Sequence, residues 1–331
     1  MIDEVRLAFA ALATHGKPEH NGLVTLAVDP VDGAYVAIDE QSRQHLLLRT
    51  QSNVEIDPGV TTLAVSTRPL RIAGEDLLVL DIACLFPSLS EVFDHFAAAV
   101  IQRIAASTEE PADAVKNVLA SWKNFLVPPS GPPGIEKIAA TLGELLVVKD
   151  AVKNSGHVDI GFWSGPFGQR HDLRGGTTAM EVKTTRTHTG YRVTIHGDDQ
   201  LLPPDGGQLY LHFVRLESVH GGQLRLTAVV DELLDAGVSA EQLFRALTAN
   251  GVAAVDLPAT DKTTFDVLER MTLPVDDQTP RIVPASFAGG HRPPGVVDIA
   301  YVIDLSESAE RALSADEYRA VTATVAAEPH A

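Results

Sequence analysis

The run Val127 to Gly134, VPPSGPPG, holds four prolines and two glycines in eight residues. Proline lacks an amide hydrogen and fixes φ, and it pushes the residue before it out of the helical region. Neither a helix nor a central strand can therefore pass through this run. It divides the 331 residues into an N-terminal domain over 1–127, a linker over 128–134 and a C-terminal domain over 135–331. With 45% hydrophobic residues, the chain can fill two cores or one large one.

Ahead of the linker, short apolar or β-branched runs alternate with Gly, Pro and Asp. They are Ala34 to Asp39, Gln44 to Arg49, Thr61 to Ser66 and Leu77 to Cys84, and they predict a small antiparallel sheet. Ser88 with Glu91 reads as a capping box opening a helix whose stripe is Val92, Phe93, Phe96, Val100 and Ile104. Pro111 suits the first turn of a second helix carrying Val115, Val118, Leu119, Trp122 and Phe125. Trp122 reads as a core anchor, so this domain is strand-rich and ends in two helices.

Beyond the linker, IEKIAATLGELLVVKDAVK is a helical pattern with apolar residues around much of its circumference, which predicts a buried helix. Gly143 inside it costs roughly 1 kcal/mol against alanine and signals close packing or access beside Glu144. Strands are expected at Val158 to Phe162, Tyr191 to His196 and Gln208 to Leu216, the last of them central. Thr227 would cap one helix, and Ser239 with Gln242 another that ends near Gly251. Further strands are expected at Thr264 to Thr272, Arg281 to Ser286 and Val297 to Ile303, then a helix capped by Ser314 and Glu317. This order makes an α/β domain whose sheet is covered on both sides.

Trp163 to Thr185, WSGPFGQRHDLRGGTTAMEVKTT, concentrates the chemistry. Side chains alternate faces along a strand, so Glu181 and Lys183 share one face while Met180 and Val182 take the other. A hairpin turn over Arg174 to Thr177 brings Asp172 back beside that pair. Two carboxylates and an ammonium then converge at a sheet edge. Hard divalent ions prefer carboxylate and water oxygens, and near a phosphodiester they neutralise developing charge and make water a better nucleophile. A nearby lysine can orient or deprotonate that water. The plainer alternative is a solvated strand with an ion pair, since E-x-K is a common sequence.

Taken together, the Glu144 helix, Asp172 and Glu181-Val182-Lys183 resemble the PD-(D/E)XK, restriction-endonuclease-like superfamily. LGELLVVKD, WSGP, HDL, MEVKTT and Gln200-Leu201 resemble more narrowly a bacterial family of PD-(D/E)XK motif proteins found with restriction-like defence systems. VLASWKNFL and VVDIAYVIDLS extend the likeness over most of the chain. The resemblance implies an αβββαβ core with a mixed sheet flanked by helices. It implies Asp172 and Glu181 as main metal ligands, Glu144 as an additional acid at the metal, Lys183 as the water-activating residue and Gln200 beside the site. It implies Mg²⁺, with Mn²⁺ as a substitute. As partners it implies DNA, co-encoded defence ATPases and a DNA methyltransferase. His171 stands where the motif has proline, and the hairpin between Leu173 and Met180 is short.

The residues exclude other chemistries. Ser164 in GFWSG is one place late for a nucleophile elbow, and neither a phosphate-binding loop nor a dinucleotide fingerprint occurs. The twelve histidines lack zinc spacing, and Cys84 is the only cysteine. No apolar run approaches the roughly 18 residues of a membrane span, and MIDEVRLAF carries Asp3 and Glu4 before Arg6, unlike a secretory signal. A cytoplasmic location is expected. The net charge of −18 is unusual for a nucleic-acid enzyme. From Trp163 to His196, however, Arg170, Arg174, Lys183, Arg186 and Arg192 outnumber Asp172 and Glu181, giving a locally basic site. The expectation is a Mg²⁺-dependent DNA endonuclease of a defence system, for which cutting both strands calls for a homodimer or a second nicking event. The alternative is a non-catalytic nucleic-acid-binding or assembly subunit with the same fold.

Overall fold

The structure is a computed structural model that describes residues 1–14, 18, 22–127 and 130–327. Linker residues 128 and 129 lie outside the described residues. The chain forms two compact units, Met1–Ser130 with Ala253–Asp256, and Gly131–Val252 with Leu257–Ala331.

In the first unit, α1 (Ile2–Thr14) precedes strands β1 (Leu23–Ala27), β2 (Ala34–Asp39), β3 (Gln44–Arg49), β4 (Leu63–Ile72) and β5 (Glu75–Cys84). They make one antiparallel sheet in the order β1-β2-β3-β5-β4. Pro69 sits on β4, an outer strand, where its missing amide hydrogen breaks no central ladder. Helices α2 (Ser90–Ala106) and α3 (Pro111–Trp122) follow. A chain of aromatic contacts runs Phe9, Phe93, Phe96, Trp122, Phe125 with centroids 5.7–6.3 Å apart, so Trp122 is a core residue. The four expected strands are present, and α1 and β1 add to them. Val5, Ala8, Phe9 and Leu12 of α1 are buried at helical spacing. The Ser88 capping box does not form: Pro87 starts a 3₁₀ turn over Pro87–Leu89, so α2 begins after Ser88 and Leu89 takes the cap position without a side-chain bond.

In the second unit, α4 (Ile135–Ser155) precedes β6 (Leu173–Gly175), β7 (Thr178–Thr185), β8 (Arg192–His196) and β9 (Gln208–Ser218). Helices α5 (Leu226–Asp235), α6 (Ala240–Ala249) and the short α7 (Leu257–Thr260) lead to β10 (Phe265–Pro274), β11 (Ala300–Asp304) and α8 (Ala315–Ala327). The main sheet has the order β10-β9-β7-β6, antiparallel except for the parallel pair β7/β9. Strands β8 and β11 form a separate antiparallel ribbon. The fold is mixed α/β, with α4 and α8 packed against each other. Both stand against the main sheet at β7, and α8 also at β6.

Three expectations are corrected. Val158 to Phe162 is not a strand: the Asp159 carboxylate accepts the Gly161 amide at 2.9 Å and Trp163 N bonds back to Ile160 O, so the segment turns instead of pairing. Arg281 to Ser286 is not a strand either, because Pro284 begins a 3₁₀ turn over Pro284–Ser286. Thr227 does not cap α5; Arg225 holds the cap position and the Thr227 hydroxyl donates to Asp261. Ser239 does cap α6, and Ser314 and Glu317 form a reciprocal box at the start of α8. Among the described residues, no helix is long and apolar enough to cross a membrane.

Candidate active site

The hairpin is tight. Gly175 pairs with Thr178 and Leu173 with Met180, so one further step places Asp172 across from Glu181. Strand β6 stops at that point, and the Val182 amide, which faces the vacated side of β7, has no strand to bond. The Asp172 carboxylate takes its place: Oδ2 accepts Val182 N at 2.7 Å. Asp172 is held from behind as well, since its carbonyl accepts both Ser164 N and Gly165 N at 2.9 Å. A Cβ at Gly165 would lie 2.8 Å from both Asp172 Cα and Oδ1, so only glycine lets the turn pass so close.

Glu181 and Lys183 share a face as their parity requires, with Lys183 Nζ 2.7 Å from Glu181 Oε1. Lys183 Nζ also donates to Gln200 Oε1 at 3.0 Å. The same oxygen accepts His196 N at the end of β8, which fixes the Gln200 amide and thereby the lysine. Asp172, Glu181, Lys183 and Gln200 thus surround one stretch of β7. That strand is internal to the sheet, and the opening at its side comes from the shortness of β6.

Glu144 approaches from α4. The helix lies close to β7 because Gly143 has no side chain: a Cβ there would stand 1.9 Å from Thr184 Oγ1. Glu144 Oε2 accepts Trp163 Nε1 at 2.8 Å and Asn250 Nδ2 at 3.3 Å. Lys137 Nζ in turn donates to Asn250 Oδ1 at 2.8 Å. The charge of Glu144 reaches Glu181, and that of Asp172 reaches Glu144, although no hydrogen bond joins these carboxylates among the described residues. Sequence reasoning did not assign roles to Trp163, Lys137 or Asn250. Lys137, Thr141 and Glu144 fall on one helical face at i, i+4 and i+7, a signal that marks Lys137. Asn250 has no such signal, because it arrives from the far end of α6.

Three acids so close, and shielded from water, resist ionisation. Burial pushes the Glu144 carboxyl up to about 8, with the charge of Asp172 adding to it and the Trp163, Lys137 and Asn250 contacts opposing. Asp172 is raised by burial, against the Val182 amide and the charges of Lys183 and Lys137. Glu181 is raised well above the usual range by burial and by Asp172, and Lys183 offsets only part of this. Its Oε2 is buried with no hydrogen-bond partner among the described residues. His171 is buried as a neutral imidazole: burial and neighbouring Arg170 pull it down to about 4, while Nε2 bonds Leu202 O at 3.1 Å.

Among the described residues, no three His, Cys, Asp or Glu side chains stand in a ready-made metal cage. The donor set nevertheless fits a hard divalent cation. The orphaned Glu181 oxygen and the mutual repulsion of three carboxylates are what such an ion relieves, and oxygen ligands are what it takes.

Residues 6–306 match a family model described as "Putative PD-(D/E)XK family member, (DUF4420)". The chain belongs to that family. No curated protein and no solved structure matches it. PD-(D/E)XK membership brings a nuclease-like fold, and nucleases of that superfamily usually use divalent metals.

Proposed function

We propose that the protein is a divalent-metal-dependent endonuclease that hydrolyses phosphodiester bonds of DNA. One observation carries this reading: the Asp172 carboxylate completes the unpaired edge of β7, opposite Glu181 and beside Lys183. In this reading α4, β6, β7, β9, the α5–α6 pair and β10 are the αβββαβ core, with β8 diverted to the ribbon. Asp172 and Glu181 would hold Mg²⁺, or Mn²⁺ in its place, with Glu144 as a third acid. The ion supplies charge neutralisation at the phosphate and a more acidic water.

The chain's own residues do the rest. Lys183 Nζ has three N–H donors, of which Glu181 and Gln200 occupy two. The third points a hydrogen bond to the attacking water or a phosphate oxygen, aligning the nucleophile and meeting the charge that builds up. Gln200 keeps the ammonium in that place. Trp163 and Asn250 both bind Oε2 of Glu144 and so hold its carboxylate in place. The partly water-excluded setting strengthens each of these interactions.

The sequence resemblance to PD-(D/E)XK motif proteins found with restriction-like systems would place the protein in restriction-type defence, with co-encoded ATPases and a DNA methyltransferase choosing the target. Cutting of both strands would then call for a homodimer or a second nicking event. The net charge of −18 favours a second reading, a DNA-binding or assembly subunit without catalysis. Nicking of supercoiled plasmid separates the two. Wild-type protein should nick with Mg²⁺ or Mn²⁺ but not with EDTA, and Asp172→Ala should not nick under any of these conditions. Nicking that survives both EDTA and the substitution would mean the cluster is not the catalytic centre. Complete inactivity of the wild type, with co-encoded proteins also supplied, would favour the subunit.

A further inference from the structure

The turn between Trp163 and Asp172 is bonded to the site at both ends and displays an aromatic ring to solvent. Its 3₁₀ segment, Gly165–Phe167, is closed by Phe167 N to Ser164 O at 3.1 Å and Gly168 N to Gly165 O at 3.0 Å. Ser164 Oγ donates to His171 O at 3.2 Å, and Ser164 N and Gly165 N both bond the Asp172 carbonyl. Gly168 has φ +77°, a left-handed conformation that reverses the chain directly after Phe167. The turn is thus built as a rigid extension of the residue that would bind metal. At its tip, Phe167 is 50% exposed, whereas Trp163 at its base is fully buried.

Arg170, three residues on, forms no ion pair among the described residues, and its Nε is buried without a hydrogen-bond partner. Lys183, Arg186 and Arg192, by contrast, are each paired with an acid. An exposed aromatic ring on a turn that also carries, three residues on, an arginine without an ion pair among the described residues suits a π-system next to a phosphate. That combination is the nucleotide-binding chemistry of single strands and unpaired bases. A protein-docking patch would need contiguous apolar surface; along the chain Phe167 is flanked by Gly165, Pro166, Gly168, Gln169 and Arg170, and the turn packs against α6.

We infer that this turn is a nucleotide-reading wedge, in which Phe167 stacks on a base beside the bond to be cut and Arg170 contacts the adjoining phosphate. The inference rests on the nuclease reading for the identity of the phosphodiester, but binding tests it independently of cutting. The position of the turn has a chemical consequence. A base held by Phe167 would be positioned relative to Asp172, because the turn's Ser164 and Gly165 amides both bond the Asp172 main-chain carbonyl.

The test uses the full-length protein, a single-stranded oligonucleotide carrying 2-aminopurine, and Ca²⁺ to neutralise the carboxylates. Anisotropy and 2-aminopurine emission are both followed. Phe167→Ala should weaken binding about 5- to 150-fold, the range of one lost stacking contact, and should abolish the emission change. Phe167→Trp should restore both. Arg170→Ala should weaken binding and flatten its salt dependence while leaving the emission change in place. Mn²⁺ affinity should be unchanged in all three variants, which shows that the metal site is intact. Equal binding by wild type and Phe167→Ala, or no DNA binding by the wild type, would overturn the inference; protein capture dependent on Phe167 without DNA binding would do so too. Phe167-dependent binding without any cleavage would keep the wedge and discard the nuclease, and cleavage indifferent to Phe167 would do the reverse.

Discussion

At the scale of single residues, Lys183 has a role that can be separated from metal binding. Its ammonium offsets the charge of Glu181 and is fixed by Gln200. Lys183→Met should lower single-turnover nicking by about 10²- to 10³-fold, the usual size of a lost general acid–base or electrostatic contribution. Mn²⁺ affinity should hold or tighten, since a competing cation has gone. Loss of both together in kinetics and calorimetry would make Lys183 a structural ion-pair partner only. The carboxyl of Glu144 gives a second expectation. Burial raises it to about 8, so at pH 6 a proton occupies the group that the ion needs. Mn²⁺ affinity should therefore climb between pH 6 and 8, and Glu144→Gln should flatten that climb. Asp172, Glu181 and Lys183 were legible in the sequence because strand parity and a Gly-Gly turn leave few ways to arrange them. The Val182 amide that locks Asp172, and Asn250 behind Glu144, were not, because both follow from where β6 and α6 end.

At the scale of elements, Gly143 sets the distance between α4 and β7. Gly143→Ala should destabilise the protein by about 1–3 kcal/mol through overpacking against Thr184. Thr184→Ala should recover part of that in a double-mutant cycle read by urea unfolding; additive losses would show that the contact does not limit the packing. In the first unit, α2 carries Asp94, raised to about 7 by burial, against the Gln44 amide and the charge of Arg6. Because the folded pKa lies above the unfolded one, the native state binds the proton more tightly. Its contribution is complete below about pH 4 and is lost as pH rises through 7, on the order of 2–4 kcal/mol. Asp94→Asn keeps the Gln44 bond and should remove this slope, making the protein more stable than wild type at pH 8. An unchanged pH profile would place the proton elsewhere. Elements with long periodicity, α2, α3, α4 and β9, were readable from sequence. Val158 to Phe162 was not, because an apolar run becomes a strand only when a neighbour pairs with it, and here Asp159 claims the backbone for a turn. The Ser88 cap failed for a similar local reason, a proline one residue earlier.

At the scale of the molecule, two units share one chain, and the candidate site belongs wholly to the second. Divalent ions should therefore slow hydrogen exchange in α4 and β7 while leaving β1–β5 as they were; protection spread evenly over both units would argue against a local site. The −18 net charge adds a constraint on the nuclease proposal, since an acidic body repels phosphate, and any DNA binding should weaken steeply as salt rises. The mixed α/β character of the second unit was legible in the sequence, whereas the departure of β8 into a ribbon with β11 depends on pairing across more than a hundred residues that no local pattern records. The central claim is that Asp172, Glu181 and Glu144 make a divalent-metal centre. Calorimetric titration of Mn²⁺ into wild type and Asp172→Asn, at pH 8, tests it most directly. The account predicts saturable binding that weakens at least about 100-fold in the variant, in which the Val182 bond is preserved. Wild-type and variant titrations that coincide, or show no binding at all, would contradict it.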